Sequence, residues 1–267
     1  MAESAILEKV VPALGAVVST VMYMSPLKAV LRASKEKSLG DLNPLPFGVT
    51  IANTIAWLGY GLLKHDPFVT TPNAIGVLIA VFMTLTAYGL ADEHARYRMR
   101  IVVCLTSAIM PLLGVVTAFG GSDAKTQQGL WGLAGNVVCL IYYAAPLTSM
   151  LEVIRSRNSA SILVPLTMMN TLNAALWTTY GVAVRDPYIW LPNGIGLVLS
   201  LMQVALRVVF PAKAGSSSVL PSHQHHASFP HSSDPAADPR SPLVDSGGAK
   251  YSRLDESFNA AGVVQNH

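Results

Sequence analysis

Residues 53–76 read NTIAWLGYGLLKHDPFVTTPNAIG, and residues 173–196 read NAALWTTYGVAVRDPYIWLPNGIG. Aligned without a gap at an offset of 120 residues, the two stretches are identical at ten of 24 positions. In the first copy these positions are Asn53, Trp57, Tyr60, Gly61, Asp66, Pro67, Pro72, Asn73, Ile75 and Gly76. The same offset relates Tyr23, Pro26, Leu27 and Leu31 to Tyr143, Pro146, Leu147 and Leu151. Self-similarity of this extent indicates a duplicated structural unit.

The composition of the chain is typical of a membrane protein. Of its 267 residues, 51% are hydrophobic and 12% are charged, whereas soluble domains average about 25% charged residues. Segments of about 20 residues are apolar on every side, which is the length that spans a bilayer. Seven such spans are placed at roughly 10–31, 44–63, 70–91, 100–119, 128–150, 163–183 and 188–210. The net charge of +3, carried by short basic clusters, does not suggest nucleic-acid binding.

The duplication and the spans together predict the fold. Each copy contains three helices, and helix four stands between the copies. We therefore expect an all-α integral membrane protein with seven transmembrane helices, built as two parallel three-helix repeats joined by one linker helix. The predicted units are a first repeat (1–95), linker helix four (96–122), a second repeat (123–210) and a disordered cytosolic tail (211–267).

Basic residues predict the orientation of the spans, because cytosolic loops carry the excess of Lys and Arg. The side assigned to the cytosol carries Lys28, Arg32, Lys35, Lys37, Arg96, Arg98, Arg100, Arg155, Arg157, Arg207 and Lys213. The opposite side carries Lys9, Lys64, Lys125 and Arg185. This bias places the amino terminus outside and the carboxyl terminus in the cytosol.

Amide and indole side chains recur inside the predicted spans. The amides are Asn53, Asn73, Asn173 and Asn193, and the indoles are Trp57 and Trp177. A carboxamide both donates and accepts, as a sugar hydroxyl does, and the apolar face of a pyranose stacks on an indole. The alternative is structural, because buried amides also join neighbouring helices and Trp also anchors helices at the membrane surface. We favour a substrate pocket for a neutral polyol.

Prolines and aspartates also recur in both halves. Pro26 and Pro146 fall within the first helix of each copy, and Pro46 and Pro165 fall in the second; we expect kinks that act as hinges. Asp66 and Asp186 lie near the outer ends of the second helices and could bond to Tyr60 or Tyr180 across the halves, closing the outer entrance. Ordinary Asp-Pro turns are the alternative for the aspartates.

The absence of certain residues narrows the function. No acidic or basic side chain falls in the middle of a predicted span, whereas proton-coupled transporters generally need such groups. A passive facilitator without a cofactor follows. The two cysteines, Cys104 and Cys139, each fall in an apolar run, and we assign them neither a disulfide nor a metal.

With Ser25-Pro26-Leu27 and Pro46-Phe47, the recurring motifs resemble the SWEET family, also called MtN3/saliva sugar transporters, over about residues 8–210. The resemblance implies bidirectional, energy-independent transport of a mono- or disaccharide by alternating access, as in a family whose members often form homo-oligomers. It implies no cofactor, and we expect the protein at the plasma membrane. It implies hinge roles for the four prolines, pocket roles for Asn73, Asn193, Trp57 and Trp177, and an outer gate at Tyr60 and Asp186. Met22 and Tyr142 match pocket positions that are smaller in sucrose carriers, which favours a hexose over a disaccharide.

Three alternatives stay open at the level of sequence. The first is a seven-helix receptor, which the duplication and the short loops disfavour. The second is a transporter of another small neutral solute; an anionic solute would need Lys or Arg in the pocket. An enzyme is the least favoured, because no nucleophile, base and orienting group converge at a recognisable spacing.

Overall fold

The computed structural model describes residues 6–212, and these residues form seven helices and no strand. The helices are α1 (Ile6–Glu36), α2 (Leu45–Lys64), α3 (Pro67–Leu90), α4 (Glu93–Phe119), α5 (Ala124–Ser156), α6 (Val164–Ala183) and α7 (Pro187–Val209). The prediction of an all-α fold with seven helices is confirmed. The predicted tail lies, from residue 213 on, outside the described residues.

Five of the helices are long and apolar enough to cross a membrane by length and composition: α1, α3, α4, α5 and α7. The other two, α2 and α6, carry the recurring Asn, Trp and Tyr side chains, which lower their mean hydropathy. Polar side chains inside a membrane normally face the protein interior. The sequence of α2 and α6 is therefore that of helices that line the centre of the protein.

The first helix of each half is interrupted beside a recurring proline. In α1, one segment ends at Met24 and the next begins at Leu27. Pro26 has no N–H to donate to the carbonyl of Met22, and Ser25 replaces that bond with its backbone N–H (3.2 Å) and its hydroxyl (2.9 Å). In α5 the break falls at Tyr143, three residues before Pro146.

Pro46 and Pro165 do not interrupt their helices, although the sequence led us to expect kinks there. Each occupies the first turn of its helix, α2 or α6, where the backbone N–H has no partner within the helix. A proline there removes no hydrogen bond, so the kink that we expected inside these two helices is not found. Instead, both prolines help to fix where the helices begin.

The two halves contact each other in a crossed arrangement. Within each half, the third helix packs against the first and the second: α3 against α1 and α2, and α7 against α5 and α6. Between the halves, α1 packs on α6 and α5 packs on α2. Helix α4 packs mainly on α2, so it is associated with the first half.

The backbone itself carries the duplication. Among the described residues, four non-glycine positions have positive φ, and they form two pairs separated by 120 residues. Lys37 (φ 55°) pairs with Arg157 (φ 49°), and His65 (φ 52°) pairs with Arg185 (φ 54°). Each pair follows the ends of corresponding helices. Both copies therefore end these helices with a left-handed residue at the same position of the repeat.

Glycines in the hairpin of the second half provide a test of this packing. A Cβ on Gly181 would lie 2.6 Å from the backbone nitrogen of Trp190, whereas a Cβ on Gly194 would meet nothing closer than 3.9 Å. We expect Gly181→Ala to lower the free energy of unfolding by about 1–3 kcal/mol, because α6 and α7 must separate. Gly194→Ala should leave stability unchanged or slightly higher. Thermal unfolding of the purified protein in detergent measures both, and equal midpoints for the two variants would contradict the packing.

Candidate functional site

The recurring aspartates begin the third helix of each half. One carboxylate oxygen of Asp66, Oδ1, accepts hydrogen bonds from the backbone nitrogens of Phe68 (2.9 Å) and Val69 (3.2 Å). The corresponding oxygen of Asp186 accepts from the backbone nitrogen of Tyr188 (3.1 Å). Both side chains therefore act as N-caps of α3 and α7, as an Asp-Pro turn would.

The second carboxylate oxygen of each aspartate bonds to the other half. The hydroxyl of Tyr60 on α2 donates to Oδ2 of Asp186 (2.5 Å), and that of Tyr180 on α6 donates to Oδ2 of Asp66 (2.6 Å). Each aspartate thus caps its own helix and joins the halves. The two interpretations of the Asp-Pro motif, a helix-starting turn and a bond to the opposite half, therefore both hold for the same side chain.

This pair of connections is not fully symmetric. Lys64 places its ammonium 3.0 Å from Oδ2 of Asp186, whereas its repeat counterpart is Val184. Asp186 is 3% exposed and Asp66 is half-buried. A cavity of about 280 Å³ lies over both aspartates and is lined also by Lys64 and His65. The Oδ2 atom of the buried Asp186 therefore has two donors from the opposite half, Tyr60 and Lys64.

An aromatic layer lies beneath these bonds. Trp57 and Tyr60 meet edge-on with ring centroids 5.7 Å apart, and Trp177 and Tyr180 do so at 6.0 Å. All four side chains are buried in one apolar cluster with Val69 and Ile189. The indoles are 8% exposed each, which is not the environment of an anchor at the membrane surface.

Each indole packs against a glycine of the opposite half. A Cβ on Gly135 would lie 2.9 Å from Trp57, and one on Gly15 would lie 3.2 Å from Trp177. Gly15 and Gly135 are themselves related by the 120-residue offset, on α1 and α5. The absence of a side chain at these positions lets the halves approach closely.

The amides of Asn53 and Asn173 also reach across the halves. Ser19 donates to Oδ1 of Asn173 (2.8 Å) and accepts from the indole nitrogen of Trp177 (2.9 Å). At the corresponding place Cys139 makes a longer thiol contact with Oδ1 of Asn53 (3.7 Å). These bonds join helices, as the structural alternative expects, and they also place both amides at the interface between the halves.

Sequence reasoning missed four residues at this interface: Gly15, Gly135, Ser19 and Cys139. The signal was available, because the first two form an identical pair at the repeat offset and the last two occupy matching positions. A search limited to polar and aromatic identities overlooks glycines, and it overlooks positions that are small in both copies but not identical.

Asn73 and Asn193 lie on the third helix of each half, α3 and α7, whereas Asn53 and Asn173 lie on the second. Their side-chain nitrogens donate to the backbone carbonyls of Val69 (2.8 Å) and Ile189 (2.7 Å), each one turn earlier. Oδ1 of Asn73 also accepts a hydrogen bond from the hydroxyl of Tyr23 (3.0 Å). Tyr143, the counterpart of Tyr23, donates instead to the backbone carbonyl of Pro192.

The bulky pair Met22 and Tyr142 is half-buried. The hydroxyl of Tyr142 on α5 lies 2.7 Å from that of Thr50 on α2, so this side chain bridges the halves on the inner side of the amides. The structure thus places Asn53, Asn173, both indoles and the four gate residues at contacts between the halves. The contacts found for Asn73 and Asn193 are within their own halves.

A larger cavity, of about 370 Å³, lies elsewhere. It is formed between α2 and α4, and its lining is almost wholly apolar: Ile51, Ile55, Val103, Thr106, Ser107, Met110 and Pro111. It holds none of the recurring polar side chains. Size alone therefore does not locate the functional site in this molecule.

Comparison with known proteins gives a consistent result. The family described as "Sugar efflux transporter for intercellular exchange" matches residues 9–94 and again residues 130–215. The chain is 29% identical to Sugar transporter SWEET1 of Drosophila pseudoobscura pseudoobscura over 205 residues, covering 75% of this chain and 89% of that protein. It is equally identical to Bidirectional sugar transporter SWEET7 of Arabidopsis thaliana, covering 75% and 80%.

A solved structure of a eukaryotic SWEET transporter superposes on the fold. The TM-score is 0.70 at 26% sequence identity, and the match covers 78% of this chain and 98% of that chain. The family match falls once on each half, which is the result expected for a duplicated unit.

The reactivity of a cysteine tests whether the two tyrosine–aspartate bonds block access to the interface from the end at which Asp66 lies. The chain has two cysteines, so in a Cys104→Ser background the remaining thiol is Cys139, which lies beneath the aromatic layer. We expect Tyr60→Phe to raise the rate at which a membrane-impermeant thiol reagent, added on the side of Asp66, modifies Cys139. A hydrogen bond to a carboxylate is worth about 1.5–3 kcal/mol, so the increase should be about tenfold or more.

The matched control is Tyr97→Phe, which changes an exposed tyrosine on α4. It should leave the modification rate as it is in the Cys104→Ser parent. Equal rates for Tyr60→Phe and Tyr97→Phe would show that the Tyr60–Asp186 bond does not limit access from this side.

Proposed function

Because the chain belongs to the MtN3/saliva, or SWEET, family of sugar transporters, we propose that it carries a hexose across the plasma membrane by alternating access between its two halves. The observation that supports this most strongly is the crossed arrangement of Tyr60–Asp186 and Tyr180–Asp66 above paired indoles and amides. The family consists of transporters, so a receptor or an enzyme is set aside.

In this proposal the conformation described is closed at its outer end. The two tyrosine–aspartate bonds and the aromatic layer separate the outer cavity from the amides beneath. For the protein to open outward, both bonds and the ion pair between Lys64 and Asp186 must break, and the indoles must leave the glycines of the opposite half. The crossed contacts of α1 with α6 and of α5 with α2 would then change together, as one half rocks against the other.

The proposed substrate site consists of the amides Asn53, Asn73, Asn173 and Asn193, the indoles Trp57 and Trp177, and Met22 with Tyr142. Neutral donors and acceptors suit a polyol, whereas the charged groups of this interface, Lys64, Asp66 and Asp186, lie at the outer closure. The bridge from Tyr142 to Thr50 narrows the inner side of the site and supports a hexose rather than a disaccharide.

The breaks beside Pro26 and Pro146 are proposed to serve as hinges, since each interrupts the helix that contacts the opposite half. Pro46 and Pro165, at the starts of α2 and α6, would act as rigid ends about which these helices tilt. No proton relay is required in this scheme, and the sugar gradient alone sets the direction of transport. The basic residues support an outer amino terminus and a cytosolic carboxyl terminus, and we propose a homo-oligomer in the membrane.

Replacing Asn193 by Ala tests the site. The variant loses a donor and an acceptor where a bound hydroxyl has no water to replace them. The half-saturating glucose concentration for equilibrium exchange should rise about five- to a hundredfold. It is measured with labelled glucose in transport-deficient cells, with rates normalised to surface abundance.

Asn136→Ala is the matched control. Asn136 is an amide within α5 whose Oδ1 is buried and, among the described residues, unpartnered, and it lies outside the proposed site. Its replacement should leave the half-saturating concentration unchanged. A protonophore should leave initial uptake unchanged as well. If activity of Asn193→Ala simply followed its abundance, with unaltered affinity, Asn193 would be a structural residue and not a binding residue.

A further inference from the structure

The repeat counterparts Asn73 and Asn193 differ in their surroundings. Asn73 is 7% exposed and its Oδ1 accepts from the hydroxyl of Tyr23, whereas Asn193 is half-buried. In the second half the corresponding hydroxyl, that of Tyr143, donates to the backbone carbonyl of Pro192. The amide oxygen of Asn193 is therefore not held by the tyrosine that corresponds to Tyr23.

The side chain of Tyr23 contacts two residues of α3, Asn73 and Gly76. Its hydroxyl donates to Oδ1 of Asn73 (3.0 Å). Its ring is packed against Gly76, where a Cβ would come within 2.9 Å of ring carbons. Tyr23 thus presents a phenolic hydroxyl, fixed by the packing of its ring, to an amide that is proposed to bind a hydroxyl of the sugar.

We propose that Tyr23 is a specificity-determining residue whose hydroxyl occupies the place of a substrate hydroxyl on Asn73 and must be displaced by the sugar. This inference rests on the proposed substrate site. It makes the two amides unequal: Asn193 takes the first sugar hydroxyl, and Asn73 becomes available when Tyr23 moves away. A solute without a hydroxyl at the matching position leaves the Tyr23–Asn73 bond in place and gains nothing from Asn73, so Tyr23 determines how strongly the site prefers a solute that carries this hydroxyl.

The direction of the effect of removing the hydroxyl follows from this exchange. In the native protein a sugar gains a bond to Asn73 only by breaking one that already exists. In Tyr23→Phe the Oδ1 atom of Asn73 has lost this donor before the sugar arrives, so binding is no longer opposed. A neutral hydrogen bond corresponds to a change in affinity of about two- to tenfold.

The test compares four variants of the full chain with the native protein in equilibrium exchange of labelled glucose: Tyr23→Phe, Tyr143→Phe, Asn73→Ala and the double variant Tyr23→Phe/Asn73→Ala. Tyr23→Phe should lower the half-saturating glucose concentration about two- to tenfold. Tyr143→Phe, the matched control, should leave it unchanged. In the Asn73→Ala background, Tyr23→Phe should have no further effect, because the bond for which it competes is already absent.

Selectivity provides a readout that a purely structural role would not change. The ratio of the half-saturating concentrations of the weakest-binding monodeoxyglucose and of glucose should increase in Tyr23→Phe, because only glucose gains fully from the freed amide. If Tyr23→Phe does not reach the membrane, Tyr23→Leu and Tyr143→Leu replace the tyrosine variants, since leucine also lacks the hydroxyl.

An unchanged or higher half-saturating concentration in Tyr23→Phe would overturn the proposal, because it would mean that Asn73 accepts from the tyrosine and the sugar at once or does not touch the sugar. Failure of the underlying site is distinguishable. If the native protein does not exchange glucose, or if Asn193→Ala leaves its affinity unaltered, the proposed function fails. If both behave as expected and Tyr23→Phe does not, the inference about Tyr23 alone fails.

Discussion

The arrangement of the two halves depends on two carboxylates, Asp66 and Asp186, each of which bonds both to its own helix and to the opposite half. Asp66 and Asp186 use one oxygen to cap their own helix and the other to accept a tyrosine hydroxyl from the opposite half. A buried carboxylate is tolerated only when its oxygens are paired with donors. The cap fixes the aspartate on α3 or α7, so the tyrosine of the opposite half must come to it. The halves are joined here by the two tyrosine–aspartate bonds and by the ion pair between Lys64 and Asp186, so separating them at this end requires all three to break.

At the level of the aromatic layer and the amides, the two halves place their side chains alike but differ in the hydrogen bonds that these side chains make. The indole–glycine contacts are related by the repeat offset, and so are the tyrosines that lie against Gly76 and Gly196. The chemistry differs at several places. Lys64 has Val184 as its counterpart, Ser19 has Cys139, Met22 has Tyr142, and Tyr23 bonds to an amide where Tyr143 bonds to the backbone. The interface between the halves is thus similar in shape on both sides but differs in hydrogen bonding, which suits the proposed substrate because a sugar has no twofold symmetry.

Much of this structure could be predicted from the sequence, because the two copies of the repeat share identical residues at the positions where the halves meet. Trp57, Tyr60, Asp66 and Asn73, with their counterparts, were located by the repeat alone, and the six aromatic and acidic side chains among them contact the opposite half. The helix count and the all-α class followed from apolar length. What the sequence could not provide was the pairing of side chains. Whether an Asp-Pro aspartate caps a helix or joins two halves depends on the distance to a tyrosine 114 or 126 residues away.

The roles of some prolines, glycines and tyrosines could not be predicted from the sequence, because they depend on three-dimensional surroundings. A proline is a kink inside a helix and a natural start in its first turn, so Pro46 and Pro165 could not be assigned until the starts of α2 and α6 were known. Glycines such as Gly135 act by lacking a side chain, and their partner is visible only in three dimensions. The difference between Tyr23 and Tyr143, identical residues at matching positions, depends on which acceptor lies nearer to the hydroxyl.

The central claim is that the halves rock about the crossed interface, so that the outer end opens as the inner end closes. Pulsed electron paramagnetic resonance on two pairs of spin labels tests it most directly. One pair replaces Leu62 and Val182 near the outer ends of α2 and α6, and the other replaces Leu31 and Leu151 on the inner segments of α1 and α5; all four are exposed and each pair is related by the repeat. In lipid nanodiscs with saturating glucose, the account predicts a second, longer distance for the outer pair together with a shorter one for the inner pair. A single, unchanged distance in both pairs would contradict it.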